Sequence, residues 1–326
     1  MVALVEEERR PIPGVDYPRT LPEFEEWFAD EDACRQYLAR VRWGAGFRCP
    51  SCGSSRDPWE TKRGLMHCRQ CGHQVSVTAG TVFEGTRKPL RMWFLTMWLV
   101  TSEKHGISAL GLQRVLGLGS YQTAWAWLHK LRRAMVRPGR ELLSGPVEVD
   151  ETYVGSPEEG VRGRKIEEKT IVVIAAEIRG RGTGRVRLRR VNDVSGASLL
   201  PFVGDTVAHK AEVNTDGWSG YKGLAKMGYT HRVLNIKRRQ QAAHEAMPRV
   251  HRVASLLKRW LAGTHHGGIQ DSHLGYYLDE FTFRFNRRTS RARGMLFYRL
   301  VQQAVETDPA PYRNLVIARP AANHNM

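Results

Sequence analysis

Four cysteines constrain this chain more than any other feature. They stand in "CPSCG" (Cys49, Cys52) and "CRQCGH" (Cys68, Cys71), a CxxC-x15-CxxC pattern. Each CxxC forms a tight knuckle that aims two thiolates at one ion. The 15-residue interval lets a hairpin bring the second knuckle opposite the first. Gly53 and Gly72, one behind each knuckle, supply the positive φ that such turns need. Sulfur fills all four positions, so the pattern predicts a structural Zn2+ ribbon with no open catalytic position. A redox dithiol explains one CxxC but not two at this interval. His67 and His73 are read as solvated neighbours and Cys34, which belongs to no pair, as a packed side chain.

The charge balance points to a partner. Against 33 Asp+Glu the 326 residues carry 50 Lys+Arg, a formal +17. A surplus of that sign favours a polyanion, nucleic acid ahead of membrane, because neutralised phosphates release condensed counterions. The opening "MVALVEEERR" is charged almost at once and lacks the apolar region of a secretory signal. The most apolar run, "MWFLTMWLV", is about half of a membrane span. Cysteines used as metal pairs rather than as a disulfide framework fit a reducing compartment. The expectation is a soluble cytoplasmic protein that meets DNA and no membrane.

Composition shifts divide the chain. Residues 1–42 form a helical leader, with Leu21, Phe24, Trp27, Phe28, Cys34 and Leu38 at helical spacing and Thr20 with Glu23 resembling a capping box. The ribbon spans 43–84 and a helical segment 85–140. Pro138, Gly139 and Gly145–Pro146 mark a linker before a region from 145 to 305 that opens with strand runs and turns helical again after Pro248, and 306–326 reads as a tail. Within the helical segment, "GISALGLQRVLGLGSYQTAWAWLHKLRRAM" is split by "GLGS" into a helix-turn-helix pattern. Tyr121, Ala124, Trp125, Leu128, Leu131 and Ala134 give the second helix one apolar stripe, and Ser120 is placed to cap it. Gln122, Thr123, His129, Lys130, Arg132 and Arg133 fall on the other face, suited to a groove and its phosphates. A solvated basic face is the plainer reading of that segment alone; the adjacent ribbon and the net charge favour DNA.

The strand region carries paired acids. "VEVDETYVG" is a strand by its β-branched content, and period two puts Asp150 on the face opposite Val149 and Glu151. Asp216, 65 intervening residues later, ends the strand-like "AEVNT" before "DGWSGY". The order strand, strand, strand, helix, strand, with acids on the first and fourth strands, is what an α/β ribonuclease-H-like core needs. There those two strands lie side by side and share divalent metal ions. Turn-capping is the plainer role for either acid taken alone. A third ligand should come from the helix that starts at Pro248 and is expected to end at Gly263. That helix holds no acid, which leaves His251, Glu245 just upstream and the more remote Glu280 as candidates. Lys258, seven residues after His251 on the same helix face, is suited to a neighbouring phosphate.

The same residues, in this order from about 20 to 305, resemble the bacterial insertion-sequence transposases of the IS1595 family, ISXO2-like branch. The resemblance rests on the ribbon, the helix-turn-helix segment, "VEVDETYVG", "NTDGWSGY", "HRVASLLKRWLAGTHHG" and "YLDEFTFRFNRR". It implies a DDE-type transposase using Mg2+ or Mn2+, with Asp150 and Asp216 as the first two ligands, His251 at the third position and Lys258 as the helical lysine. Such an enzyme binds terminal inverted repeats, cuts element ends and joins their 3′-OH to target DNA, here expected as a homo-oligomer in the bacterial cytoplasm, at the nucleoid. Lys258, Arg259 and the "RFNRR" cluster (Arg284, Arg287, Arg288) are expected on backbone phosphates.

Overall fold

The computed structural model describes residues 10–137, 139–155, 169–234, 243–265 and 269–317. Two units emerge, each discontinuous in sequence: Met1–Met135 with Thr289–Tyr312, and Val136–Arg288 with Arg313–Met326.

The first unit starts with α1 (Leu21–Trp27) and α2 (Glu31–Arg42), followed by a small antiparallel sheet of β1 (Trp59–Glu60), β2 (Leu65–His67) and β3 (Gln74–Ser76). Helices α3 (Leu90–Ser102), α4 (Ala109–Leu116) and α5 (Tyr121–Ala134) come next. Side chains fix the helix starts. The Thr20 and Asp30 oxygens accept the N–H groups of Glu23 and Ala33, and Glu31 accepts the N–H of Leu90 at the head of α3. The capping box is half formed, because Glu23 turns its carboxylate to the N–H of Arg19 rather than to Thr20.

The aromatic core of this unit closes on a helix from far along the chain. The Phe297 ring lies 5.5–6.2 Å from those of Phe24, Phe28, Tyr37, Phe94 and Trp98. Phe297 belongs to the helix Arg293–Glu306, which the sequence reading had placed in the 145–305 region. Its Gly294 sits so close to Pro18 that a Cβ there would collide with the Pro18 carbonyl.

The second unit is built on a five-stranded sheet: β4 (Val147–Val154), β5 (Thr170–Arg179), β6 (Gly182–Val191), β7 (Glu212–Thr215) and β8 (Thr230–Val233), in the order β6-β5-β4-β7-β8. The β6–β5–β4 pairings are antiparallel, and those of β4 with β7 and β7 with β8 are parallel. Helix α6 (Gly196–Thr206) returns the chain from β6 to β7 and covers one face; Leu199, Phe202 and Val203 pack there against Val147, Val149, Val173 and Ala175. On the opposite face, α8 (Pro248–His265), which follows the short α7 (Ala243–Ala246), and α9 (Leu274–Asn286) bury Val250, Val253, Leu257 and Phe281 against Val172, Ile174, Val186 and Leu188. Burial on both faces explains why "TIVVIAAEI" is apolar throughout instead of alternating. Helix α8 continues to His265, so Gly263 is inside it and does not cap it. Chain order makes the Phe297 helix α10. Among the described residues, no helix is long and apolar enough to cross a membrane.

Candidate zinc centre and active site

The ribbon cysteines converge. All four Sγ atoms lie within 4.8 Å of one another, with Cys49–Cys71 at 3.6 Å and Cys52–Cys68 at 3.7 Å. Four sulfurs about 2.3 Å from one tetrahedral Zn2+ stand about 3.8 Å apart, so the donor set fits that ion. Gly53 and Gly72 have φ of +70° and +74°, and their N–H groups donate to the carbonyls of Cys49 and Cys68 to close the knuckles. Backbone N–H groups of Cys71 and Gln70 pull the Cys68 thiol down to about 7, toward the thiolate that a metal needs. His67 stacks on the exposed Trp59 at 4.6 Å instead of joining the cluster.

In the second unit the candidate acids lie in and just past two strands that pair directly. β4 and β7 pair in parallel, Val147 with Val213 and Glu148 with Asn214. Two residues farther along each chain stand Asp150 and Asp216, at matching positions. Asp216 is just past β7, where its Oδ1 accepts the Trp218 N–H at 2.9 Å. The turn behind it needs Gly217: φ is +86°, and a Cβ would come within 2.7 Å of Val233. The charges of Glu151, Asp150 and Asp216 all act on the Tyr221 phenol, whose pKa is raised well above its ordinary value by burial first and then by these carboxylates. The Tyr221 hydroxyl donates to Glu151 at 3.0 Å, which leaves Asp150 on the other face of β4.

That other face meets α8. His251 Nε2 is 3.7 Å from Asp150 Oδ2; the two side chains are 33% and 17% exposed, but the Nε2 atom itself is buried. The reason for this approach is Glu148, which the sequence reading passed over. Its buried carboxylate accepts the N–H groups of Arg249 and Val250 at 2.7 and 3.0 Å and pairs with the Arg249 guanidinium at 3.2 Å. A strand residue thus caps the first turn of α8, at the two residues directly before His251. Burial raises the pKa of Glu148, and the two N–H bonds and Arg249 offset only part of that. A charged residue two before Asp150 in an apolar strand was the signal, since a buried carboxylate requires partners.

Asp150, Asp216 and His251 do not close on one point as the cysteines do. Among the described residues, the cysteines are the group of three or more candidate ligands within 4.8 Å. Two ions about 3.5–4 Å apart take a wider ligand set than one tetrahedral ion. Of the other candidate third ligands, Glu280 is buried in α9 and paired with Arg284 at 3.3 Å, and Glu245 is exposed on α7.

Known proteins share this layout in sequence. Residues 142–286 match the profile of the ISXO2-like transposase domain, and residues 29–74 match a transposase zinc-ribbon domain. The chain carries an ISXO2-like transposase domain and a transposase zinc ribbon. It is also 28% identical, over 279 residues, to a Halobacterium salinarum protein described as an uncharacterized protein in transposable element ISH50; the match covers 79% of this chain and 91% of that relative.

The transposase places its basic residues less simply than the sequence suggested. In α5, Gln122 is exposed and Thr123, Lys130 and Arg133 are half-buried, but His129 and Arg132 are buried. Arg132 lies 3.4 Å from His129 and cannot present itself to a groove, because the helix is covered on a wider arc than its stripe of apolar residues implied. Ser120 does not cap the helix; its hydroxyl donates to Gln122 at 2.7 Å. Lys258 and Arg259 project from α8 into solvent, and the Lys258 pKa is lowered by partial burial and then by Lys169. Arg287 and Arg288 lie 3.9 and 4.0 Å over the Phe283 and Phe285 rings. Arg288 also donates to the carbonyls of Thr183 and Gly184, so much of its hydrogen-bonding capacity serves β6.

Proposed function

We propose that this transposase is a DDE-type enzyme with a ribonuclease-H-like catalytic core, which cuts the ends of its element and joins the freed 3′-OH to target DNA. The observation that supports this reading is the parallel β4–β7 pairing, which runs to Glu148 with Asn214, two residues before Asp150 and Asp216, together with His251 3.7 Å from Asp150. Strand order β6-β5-β4-β7-β8, with α6 crossing between β6 and β7, supports the same core.

The donor set fits divalent cations. Two carboxylates suit Mg2+ or Mn2+, and the imidazole of His251 is a better donor for Mn2+ than for Mg2+. When bound, such ions activate an attacking oxygen and stabilise the leaving oxygen of a phosphodiester. Asp150 and Asp216 hold the positions where that positive charge must sit, and Glu148 holds α8 so that His251 faces them. Lys258, about 10 Å along the helix from His251, grips a phosphate beside the reacting one. The zinc ribbon and the α4–α5 helix-turn-helix recognise terminal inverted repeats, with Gln122, Thr123, Lys130 and Arg133 toward DNA. An element has two ends, so the working assembly on DNA is a homo-oligomer, acting at the nucleoid in the bacterial cytoplasm.

The test is Mg2+- and Mn2+-dependent cleavage and strand transfer on a labelled end fragment. Asp150→Asn and Asp216→Asn are expected to lose both steps while still binding the fragment. His251→Ala is expected to shift the Mn2+ requirement upward by about tenfold or more. Joining that survives Asp150→Asn, or that is abolished by Glu280→Gln and untouched by His251→Ala, refutes the assignment.

A further inference from the structure

Gln122, Thr123 and Lys130 do not occupy an open helix face. With Trp127 they form one wall of a cleft of about 460 Å³, and the other wall is the Gly85–Lys88 turn ahead of α3. The floor is apolar: Trp93 and Trp127 stack with ring centroids 4.1 Å apart, and the Trp93 indole N–H donates to Thr86 at 2.9 Å. Arg87, Lys88 and Lys130 line the cleft and, among the described residues, no carboxylate does; Glu84, just ahead of the turn, also acts on Lys130. Lys130 stands 5.9 Å over the Trp93 ring, and at the rim the Tyr312 ring is 49% exposed.

A wall of cations without acids calls for an anion. The volume lies within the range of about 300–1,000 Å³ in which small ligands are enclosed, and it is far too small for a duplex. An exposed tyrosine beside cations is the combination that binds unpaired nucleic acid, because every base has a face to stack and every nucleotide a phosphate to pair. We propose that this cleft takes one nucleotide of an unpaired DNA strand, its phosphate between Lys88 and Lys130 and its base against Tyr312. The proposal rests on the DNA-binding reading above and names the form of DNA that α5 meets. Gln122 and Thr123 then supply neutral donors to sugar and base edge instead of reading a major groove. Burial, and secondarily Arg133, lowers the pKa of Lys130, a cost that a bound phosphate relieves.

The experiment uses the full zinc-loaded chain and fluorescence anisotropy with two probes, an oligothymidylate of about 12 nucleotides and a duplex drawn from the DNA flanking the coding region. Tyr312→Ala is expected to weaken oligothymidylate binding about tenfold, with Tyr312→Phe restoring it. Lys88→Ala and Lys130→Ala are each expected to lower the slope of log K against log salt by about 0.7 on the single strand. Duplex affinity should change little in the two Tyr312 variants and in Lys88→Ala. Wild-type binding to the duplex without binding to oligothymidylate overturns the inference and leaves the DNA reading standing. Equal losses on the two probes in the Tyr312 and Lys88 variants, or a Tyr312→Ala variant that binds oligothymidylate like wild type, also overturn it. Binding to neither probe sinks the DNA-binding reading, and the inference with it.

Discussion

At Glu148 one buried carboxylate serves the N–H groups of Arg249 and Val250 and the Arg249 guanidinium. Glu148→Gln keeps the shape but gives up the charge that holds these donors. The expected cost is about 1–3 kcal/mol, read from urea unfolding. Strand joining should fall further than affinity for end DNA, because α8 loses its anchor directly before His251. Residues of this kind divide into those that sequence exposes and those that it hides. Asp150 and Asp216 were legible because each is an acid in or at the end of an apolar strand. Arg132 was misread because its burial is decided by neighbours outside α5, and a helical wheel carries no information about them. Glu148 was missed for the same reason, since its partners stand 101 and 102 residues away.

Strand β6 lies at the edge of its sheet, and an exposed edge invites pairing with another chain. Asn286 answers this by acting as a short piece of strand: its Oδ1 accepts the Val186 N–H at 2.7 Å and its Nδ2 donates to the Val186 carbonyl at 3.1 Å. Asn286→Ala is expected to cost about 1–3 kcal/mol in denaturant unfolding and to raise the rate of aggregation. On β5, Glu177 tests pH. Burial raises its pKa, but hydrogen bonds from the Arg185 side chain and from the Arg185 and Ser144 N–H groups outweigh that and leave it below the ordinary 4.5. A folded pKa below the unfolded one contributes stability that is fully present above 4.5 and is lost as pH falls through the folded value. Unfolding midpoints measured below pH 5 should therefore drop more steeply with acid in wild type than in Glu177→Gln. In the ribbon, chelation is expected to remove one zinc per chain, to unfold the Phe47–Val75 cluster and to abolish end binding, as followed by metal analysis and tryptophan fluorescence. The knuckles could be read in advance because ligand spacing is local. The β6 edge could not, because nothing near Val186 announces Asn286.

The whole chain is read correctly in its order of elements and less so in its partition. Strand texture and the Pro138–Pro146 linker put a boundary near 140, and the second unit starts at Val136. The return of Thr289–Tyr312 to the first unit was not legible, because the apolar face of α10 fits either partner until the aromatic core around Phe297 is seen. A fragment ending at residue 140 should consequently lack a cooperative thermal transition, whereas one with 289–312 rejoined through a flexible linker should regain it by calorimetry.

That shared core has a bearing on how the protein is made. While the ribosome is still translating, Phe24, Phe28 and Tyr37 emerge long before Phe297, the ring that they surround. The strands and α8 are synthesised in the interval, so an early stop in the message strands the leading residues without their seat. Recombination between related elements faces the same constraint: a single crossover near residue 140 would pair one parent's aromatic nest with the other parent's plug.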